Sequence, residues 1–410
     1  MYINNAHHLT YCTNIHPEKN WVDLFAILES TIPQLKKEIS PDRPFGIGLR
    51  LSDYSSKEIL EEKNLMKFKK WLEENDLYVF TMNGFPYGLF HNKVVKDDVH
   101  KPDWTTIERV EYTKRLCRIL SVLVPKGIEG GISTSPLSYK PWHVEEKKIE
   151  HIYKTSAIHL AMVAEEMLRI RKDSGKVLHL DIEPEPDGLL ENSSEALDFY
   201  EKYLFPYGIE YLVKHTSISP ALAEDALRTH IRICYDICHF AVAYENHREA
   251  ITKFEKAGIR IGKIQISSAL KAQFKGDKAK DKIIFDEFRR LNDPTYLHQV
   301  IERDMDNCIH QYRDLPVAMS ASDLSKVKEW RMHFHVPLFV KTYGKLTSTQ
   351  KDVLEVLEIL KEKRITDHLE VETYTWEVLP ESLKEDLKAS IARELKWVLN
   401  NIEVSIAANE

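Results

Sequence analysis

The stretch KVLHLDIEPEP, residues 176–186, alternates apolar and polar side chains. In an extended chain Leu178, Leu180 and Ile182 share one face, while His179, Asp181 and Glu183 share the other. Two later stretches repeat the pattern. In RICYDICHF, residues 232–240, Ile233, Tyr235 and Ile237, together with the preceding Ile231, oppose Arg232, Cys234 and Asp236. In HLEVETY, residues 368–374, Leu369 and Val371 oppose Glu370 and Glu372. Strands of a parallel sheet are covered on both faces and usually read as unbroken apolar runs. Here one face is apolar, to pack on helices, and the other is polar, to line the inside of a barrel.

Working outward, short apolar runs alternate with longer amphipathic ones. Strand candidates lie at 8–15, 45–52, 77–88, 129–139, 176–186, 232–240, 261–270 and 367–376, with helical periodicity between them. Ser56 is the expected cap of a helix over 56–75, and Gly175 the expected stop of a long helix over 147–175. Eight strand–helix units imply a closed (β/α)8 TIM barrel whose working face is at the C-terminal strand ends. The chain is expected to be one barrel domain over 1–410. Residues 271–366 break the rhythm with charged helical stretches, the run WRMHFHVPLF (330–339) and another helix, and read as an insertion between strands seven and eight.

Composition sets limits. The 410 residues are 43% hydrophobic and 10% aromatic, enough for a large ordered core. A net charge of −7 argues against a nucleic-acid partner. The five cysteines (Cys12, Cys117, Cys234, Cys238 and Cys308) are odd in number and form no CxxC, which fits a reducing compartment. Cys234 and Cys238 are spaced as metal ligands could be, although small buried side chains is the plainer reading. No signal peptide is evident and no run of 18 apolar residues occurs, so the expected location is the cytosol, with no transmembrane segment.

The candidate chemistry sits at the strand ends. Glu183, Asp236 and Glu372 each fall near a C-terminal end and would converge on one mouth. Buried carboxylates must be paired, protonated or bound to a cation. A divalent metal between them is one solution, and an ion-pair network with Arg50, Arg232 and histidines is the other. His239 follows Asp236 by three, and His333 and His335 alternate on one face of an extended chain. His7, His8 and His16 are further candidates beside the first strand. The loop NGFPYGLFH, residues 83–91, offers Asn83, Phe85, Tyr87 and His91 to a substrate, with aromatics that could stack on a sugar ring or pack as a lid. No GxGxxG, GxxxxGK[ST], GxSxG or HExxH pattern is present.

The Glu-Pro after strand five, the D-x-x-H after strand six and the late Glu on strand eight resemble the xylose-isomerase-like TIM barrels, a superfamily of sugar isomerases, epimerases and endonuclease IV. Within it, the strings HLTYCTNIHP, LDIEPEP, CYDICHF, KIQISSAL, HFHVPLF and EVETYTW resemble the EboE family of metabolite traffic proteins. The superfamily resemblance implies metal ligation by Glu183, Asp236 and Glu372, with His239 contacting substrate or metal. The strand-seven ligand of the superfamily is commonly His, and here Gln265 stands in its place. Either Gln265 or His335 would complete the set. The resemblance further implies a divalent cofactor, Mn²⁺ or Mg²⁺ favoured and Zn²⁺ the alternative. The expected activity is isomerisation or epimerisation of a sugar-like or polyhydroxylated metabolite, with Glu183 and Glu372 as base and acid and His239 at the substrate. Two alternatives stand beside it. One is a non-catalytic protein that binds a metabolite or other proteins of the same gene cluster. The other is a phosphodiesterase of endonuclease IV type, which would need histidines where strands three and four offer Asn83, Ser133 and Ser135.

Overall fold

The computed structural model describes residues 1–61, 63–88, 96–291, 297–376 and 384–402. Eight parallel strands form the barrel: β1 (His7–Tyr11), β2 (Phe45–Arg50), β3 (Leu77–Asn83), β4 (Gly130–Thr134), β5 (Leu178–Ile182), β6 (Ile231–Asp236), β7 (Ile261–Ile266) and β8 (His368–Val371). The hydrogen-bonded order runs β1-β8-β7-β6-β5-β4-β3-β2, with the short strand Tyr2–Ile3 added antiparallel at β1. The seam between β1 and β2 closes through a single parallel bridge, Cys12 to Gly48, and through Thr10. The Thr10 hydroxyl donates to the Gly46 carbonyl (2.8 Å) and accepts from the Gly48 amide (3.1 Å).

The alternation read from sequence sets which side chains go where. Leu178, Leu180, Ile182, Ile231, Ile233, Tyr235, Leu369 and Val371 join one large apolar core with the surrounding helices. Their polar neighbours face inward, where space is tight. A Cβ on Gly48 would lie 1.8 Å from Glu370 Oε1, and one on Gly262 would lie 1.9 Å from Asp181 Oδ1. Glycine on the facing strands is what admits these large polar groups.

Several boundaries differ from expectation. The helix expected over 56–75 is two, Asp53–Glu58 and Asn64–Glu74. Ser52, not Ser56, caps the first by accepting the Ser55 amide, and the Asn64 side chain takes the Glu58 carbonyl and ends that helix (2.9 Å). The helix Glu146–Ser174 does stop at Gly175, at φ 72°. The first strand ends at Tyr11, and a 3-10 turn, Thr13–Ile15, brings Asn14 over the mouth.

Between β7 and β8 the chain builds a second, six-stranded antiparallel sheet from Leu270–Gln273, Val300–Asp304, Ile309–Tyr312, Val327–Met332, Thr342–Tyr343 and Leu346–Ser348. It has its own apolar cluster around fully buried Trp330, which Phe274 and Phe288 meet at 5.5 Å. The sequence announces charged helices in this segment but not a sheet. The strands are short and the edge strand Ile309–Tyr312 is largely exposed, so apolar alternation is weak. The following helix, Gln350–Glu362, packs back on the barrel core. No described helix is long and apolar enough to cross a membrane.

Candidate metal centre

Three strands deliver three carboxylates to one point. Ligand oxygens of Glu183 (after β5), Asp236 (end of β6) and Glu372 (after β8) all lie within 4.8 Å of one another. The residues are 2%, 0% and 5% exposed. Asp236 caps the helix Ile237–Val242, accepting the His239 amide (3.0 Å) and the Ser267 hydroxyl (2.7 Å) on Oδ1. That cap turns the chain so that His239 points back at the strand ends. Glu372 Oε1 accepts from Asn14 (2.8 Å) and Asn83 (3.1 Å). Glu183 Oε2 and Asp236 Oδ2 have no hydrogen-bond partner among the described residues.

The ion-pair partners of these carboxylates among the described residues are histidines. His239 stands 3.7 Å from Glu183 and 3.9 Å from Asp236, and His335 stands 4.0 Å from Asp236 and 3.7 Å from Glu372. The arginines of the alternative network are elsewhere. Arg50 pairs with Glu18, and Arg232 with Glu129 at the opposite end of the barrel (2.8 Å). Burial first, and then the neighbouring Glu372, Asp236 and Glu185, hold the Glu183 carboxyl well above the usual range. Burial, then Asp236 and Glu370, push Glu372 up to about 8.

The imidazoles carry the same message from the other side. Nδ1 of His239 faces the Pro184 carbonyl (3.1 Å), Nδ1 of His335 the Glu372 carbonyl (3.1 Å), and Nδ1 of His333 the Gln299 side-chain oxygen (3.0 Å). These acceptors assign the N–H to Nδ1 and leave each Nε2 as a lone pair. The Nε2 atoms then face one another, His239 to His333 at 3.0 Å and His239 to His335 at 3.4 Å. Burial holds all three below their ordinary pKa. Lone pairs facing lone pairs beside carboxylates that lack a lysine or arginine partner among the described residues is a donor arrangement a cation satisfies.

A cavity of about 100 Å³ opens above this cluster, lined by Asn14, Asn83, Phe85, His100, Glu185 and Tyr374 among others. A larger one, about 590 Å³, opens at the N-terminal strand ends. Its charges largely satisfy one another, as Arg232–Glu129, Arg364–Asp367 and Lys363–Glu255. The clustered donors therefore lie at the smaller cavity, at the C-terminal strand ends where TIM barrels generally carry function.

No family model and no curated protein matches the chain. Among solved structures, a xylose isomerase-like TIM barrel protein from Mycobacterium smegmatis, in complex with magnesium, is similar over 98% of this chain and 98% of that chain, at 10% identity and a TM-score of 0.51. The chain has the xylose isomerase-like TIM-barrel fold. A D-tagatose 3-epimerase-like protein (12% identity, 96% of this chain and 98% of that chain, TM-score 0.49) and the IOLI protein with a binding zinc atom (12%, 96% and 98%, 0.48) superpose less closely.

Within that fold the predicted residues divide. Glu183, Asp236, His239, His333, His335 and Glu372 come together, and Asn83 and Phe85 line their cavity. Gln265 stands in register with Asp236 and Glu370, and its side-chain oxygen accepts the Cys234 thiol (3.1 Å). Tyr87 is not at the cavity either. Its ring packs on Tyr112 (centroids 5.1 Å apart) and its carbonyl accepts the Asp53 amide, which draws it into the helical layer. His91 lies outside the described residues. His7 and His8 bond to Thr366 and Tyr78, and His16 bonds to Tyr11, away from the carboxylates. Ser133 and Ser135 are buried. Cys238 sits with its Sγ within 4.8 Å of ring nitrogens of His333 and His335.

Sequence reasoning missed Asn14, Glu185, His100 and Gln299. Glu185 carried a signal, since it follows Glu183 by two and keeps to the same face. Asn14, His100 and Gln299 arrive from turns and from the insertion, where no periodicity marks them.

Proposed function

We propose that the protein is a divalent-metal-dependent isomerase or epimerase of a sugar-like or polyhydroxylated metabolite. The observation that carries this is the set of three buried carboxylates, without lysine or arginine partners among the described residues, that clusters with the His239 and His335 imidazoles at the barrel mouth, the Nε2 of each facing Asp236. The residues that would hold the ion are Glu183, Asp236, Glu372 and His335, with His239 beside them. His335 suits the fourth position better than Gln265, whose oxygen is already engaged by Cys234. A mixed set of carboxylate oxygens and imidazole favours Mn²⁺ or Mg²⁺, with Zn²⁺ the alternative, and the Mycobacterium smegmatis protein of this fold is itself in complex with magnesium.

When bound, a divalent ion supplies Lewis acidity to adjacent hydroxyl and carbonyl oxygens and so acidifies the C–H between them. The chain supplies the rest. Glu183 and Glu372 stand on different strands, so a carbon held between them loses its proton to one carboxylate and regains one from the other. Burial raises both carboxyls, Glu372 to about 8, which favours their protonated forms. Asn14 and Asn83 fix Glu372 by hydrogen bonds, Phe85 offers an apolar surface to a ring, and His239 and His333 face substrate hydroxyls. The likeness of the quoted strings to EboE-type proteins supports a substrate among the metabolites handled by a traffic or export gene cluster, with other proteins of that cluster as partners.

The test is proton exchange. The Mn²⁺-loaded protein is incubated in D2O with a panel of ketoses, aldoses and cyclic polyol ketones, and loss of the proton next to the carbonyl is followed by NMR. Exchange in the wild type that disappears in Glu183→Gln and Glu372→Gln is the expected result. A compound that is retained by the metal-loaded protein without exchange would replace this reading with the non-catalytic carrier.

A further inference from the structure

The insertion carries a second, unrelated groove of about 610 Å³, lined by the strands Leu270–Gln273 and Leu346–Ser348 and the helix Lys278–Arg290. Six lysines line it: Lys271, Lys275, Lys280, Lys341, Lys345 and Lys351. Among the described residues its lining holds a single carboxylate, Asp281, whose Oδ1 is taken by the Lys275 amide (3.1 Å). Lys280 pairs with Asp277 at 2.8 Å. Among the described residues the other five ammonium groups make no ion pair. Elsewhere surface lysines such as Lys57, Lys202, Lys282 and Lys361 do pair with a carboxylate three or four residues away. A concentration of unpaired positive charge on a chain of net charge −7 is local and directional.

The floor is different from the rim. Ile283 is 50% exposed and Ile284 lies beside it, with the methylene stems of the lysines around them. An apolar floor under a cationic rim selects a ligand with carboxylates outside and aliphatic groups inside. A bilayer is flat, and this site is concave. Among the described residues no aromatic side chain lines it, so those residues offer no platform for stacking bases. Inorganic phosphate would leave the floor unused.

We propose that this groove docks an acidic, leucine-bearing peptide segment of a partner protein. The strand Leu270–Gln273 on its wall neighbours Val327–Met332, which runs directly into His333 and His335. A partner docked here therefore sits on the same subdomain that supplies histidines to the barrel mouth.

Fluorescence anisotropy of a labelled peptide that alternates glutamate pairs with single leucines tests it, on the full chain. The peptide is expected to bind wild type, and to bind about tenfold more weakly when NaCl is raised from about 50 to about 500 mM. The exposed triple variant Lys341→Glu/Lys345→Glu/Lys351→Glu is expected to lose at least about tenfold in affinity, and the neutral Lys→Gln triple an intermediate amount. Ile283→Ser and a glutamine-for-glutamate peptide each weaken binding as well. Circular dichroism and metal binding at the mouth, unchanged in all variants, exclude misfolding. Equal peptide affinity in wild type and the charge-reversed triple would overturn the proposal. So would preferential binding of oligothymidine, or of phosphatidylcholine–phosphatidylserine vesicles, which would make the groove a nucleic-acid or membrane surface.

Discussion

The barrel interior holds two layers of buried charge on the same strands, two residues apart, and they meet opposite fates. In the lower layer Glu370 pairs with Lys263 at 2.6 Å, both fully buried, and Asp181 shares a proton with His179 at 2.6 Å. Two residues further along, Glu372 and Glu183 meet each other, Asp236 and three imidazoles. The alternation that directs a side chain inward is the same in both layers. What differs is the partner. Each carboxylate of the lower layer has a basic partner on a barrel strand, although Asp181 Oδ2 and Glu370 Oε1 lack a hydrogen bond among the described residues, whereas the upper layer has no lysine or arginine among its described partners and is left with charge that a proton or a cation can offset. Inward polarity marks a barrel, and a missing counter-charge marks the site within it.

Removing the lower layer's cation is the strongest way to break this contrast. Lys263→Met strands Glu370 without a counter-charge, and urea unfolding should show a loss of about 3–5 kcal/mol, largely recovered in Lys263→Met/Glu370→Leu. A single variant as stable as wild type would erase the distinction between the layers. Next in size is Gly48→Ala, whose methyl would overlap Glu370 Oε1. A cost of about 1–3 kcal/mol is expected by the same measurement, against none for Gly88→Ala, which faces open space.

Glu394 sharpens the contrast as a third kind of buried carboxyl, held by the Leu338 amide and the Thr373 hydroxyl, with no charged partner among the described residues. Burial pushes it up to about 8. The folded state therefore binds this proton more tightly than the unfolded chain. The stabilisation is complete below the unfolded pKa of about 4.3 and is lost as pH rises through 8, at up to about 1.4 kcal/mol per pH unit. Glu394→Gln should flatten that slope between pH 5 and 8 in denaturation curves. The smallest effect belongs to the upper layer. Glu183→Gln in metal-free protein removes a mutually repelling carboxylate, so stability should change by less than about 1 kcal/mol, or rise. A loss as large as that of Lys263→Met would show the upper layer to be structural.

The strands were legible because buried β-branched runs with inward polar residues leave a period-two trace, clear in LHLDI and in HLEV. Glu183, Asp236 and Glu372 were legible for the same reason, and His239 because a D-x-x-H at a strand end turns both groups to one point. His333 and His335 followed from alternation just beyond Trp330. Tyr87 misled because residue type and loop position do not set side-chain direction: the Tyr112 ring drew it into the helical layer. Asn14, His100 and Gln299 were illegible, since each is brought in by a turn or by the insertion's sheet, whose register depends on pairings far apart in the chain.

The most direct test is the metal content of protein purified without chelator, compared with Glu183→Gln and Asp236→Asn. The account predicts roughly one divalent ion per chain, lost in both variants while the fold persists. A wild type that carries no ion, and takes up neither Mn²⁺, Mg²⁺ nor Zn²⁺ on titration, would contradict it and leave the upper layer a set of protonated carboxyls in a binding protein.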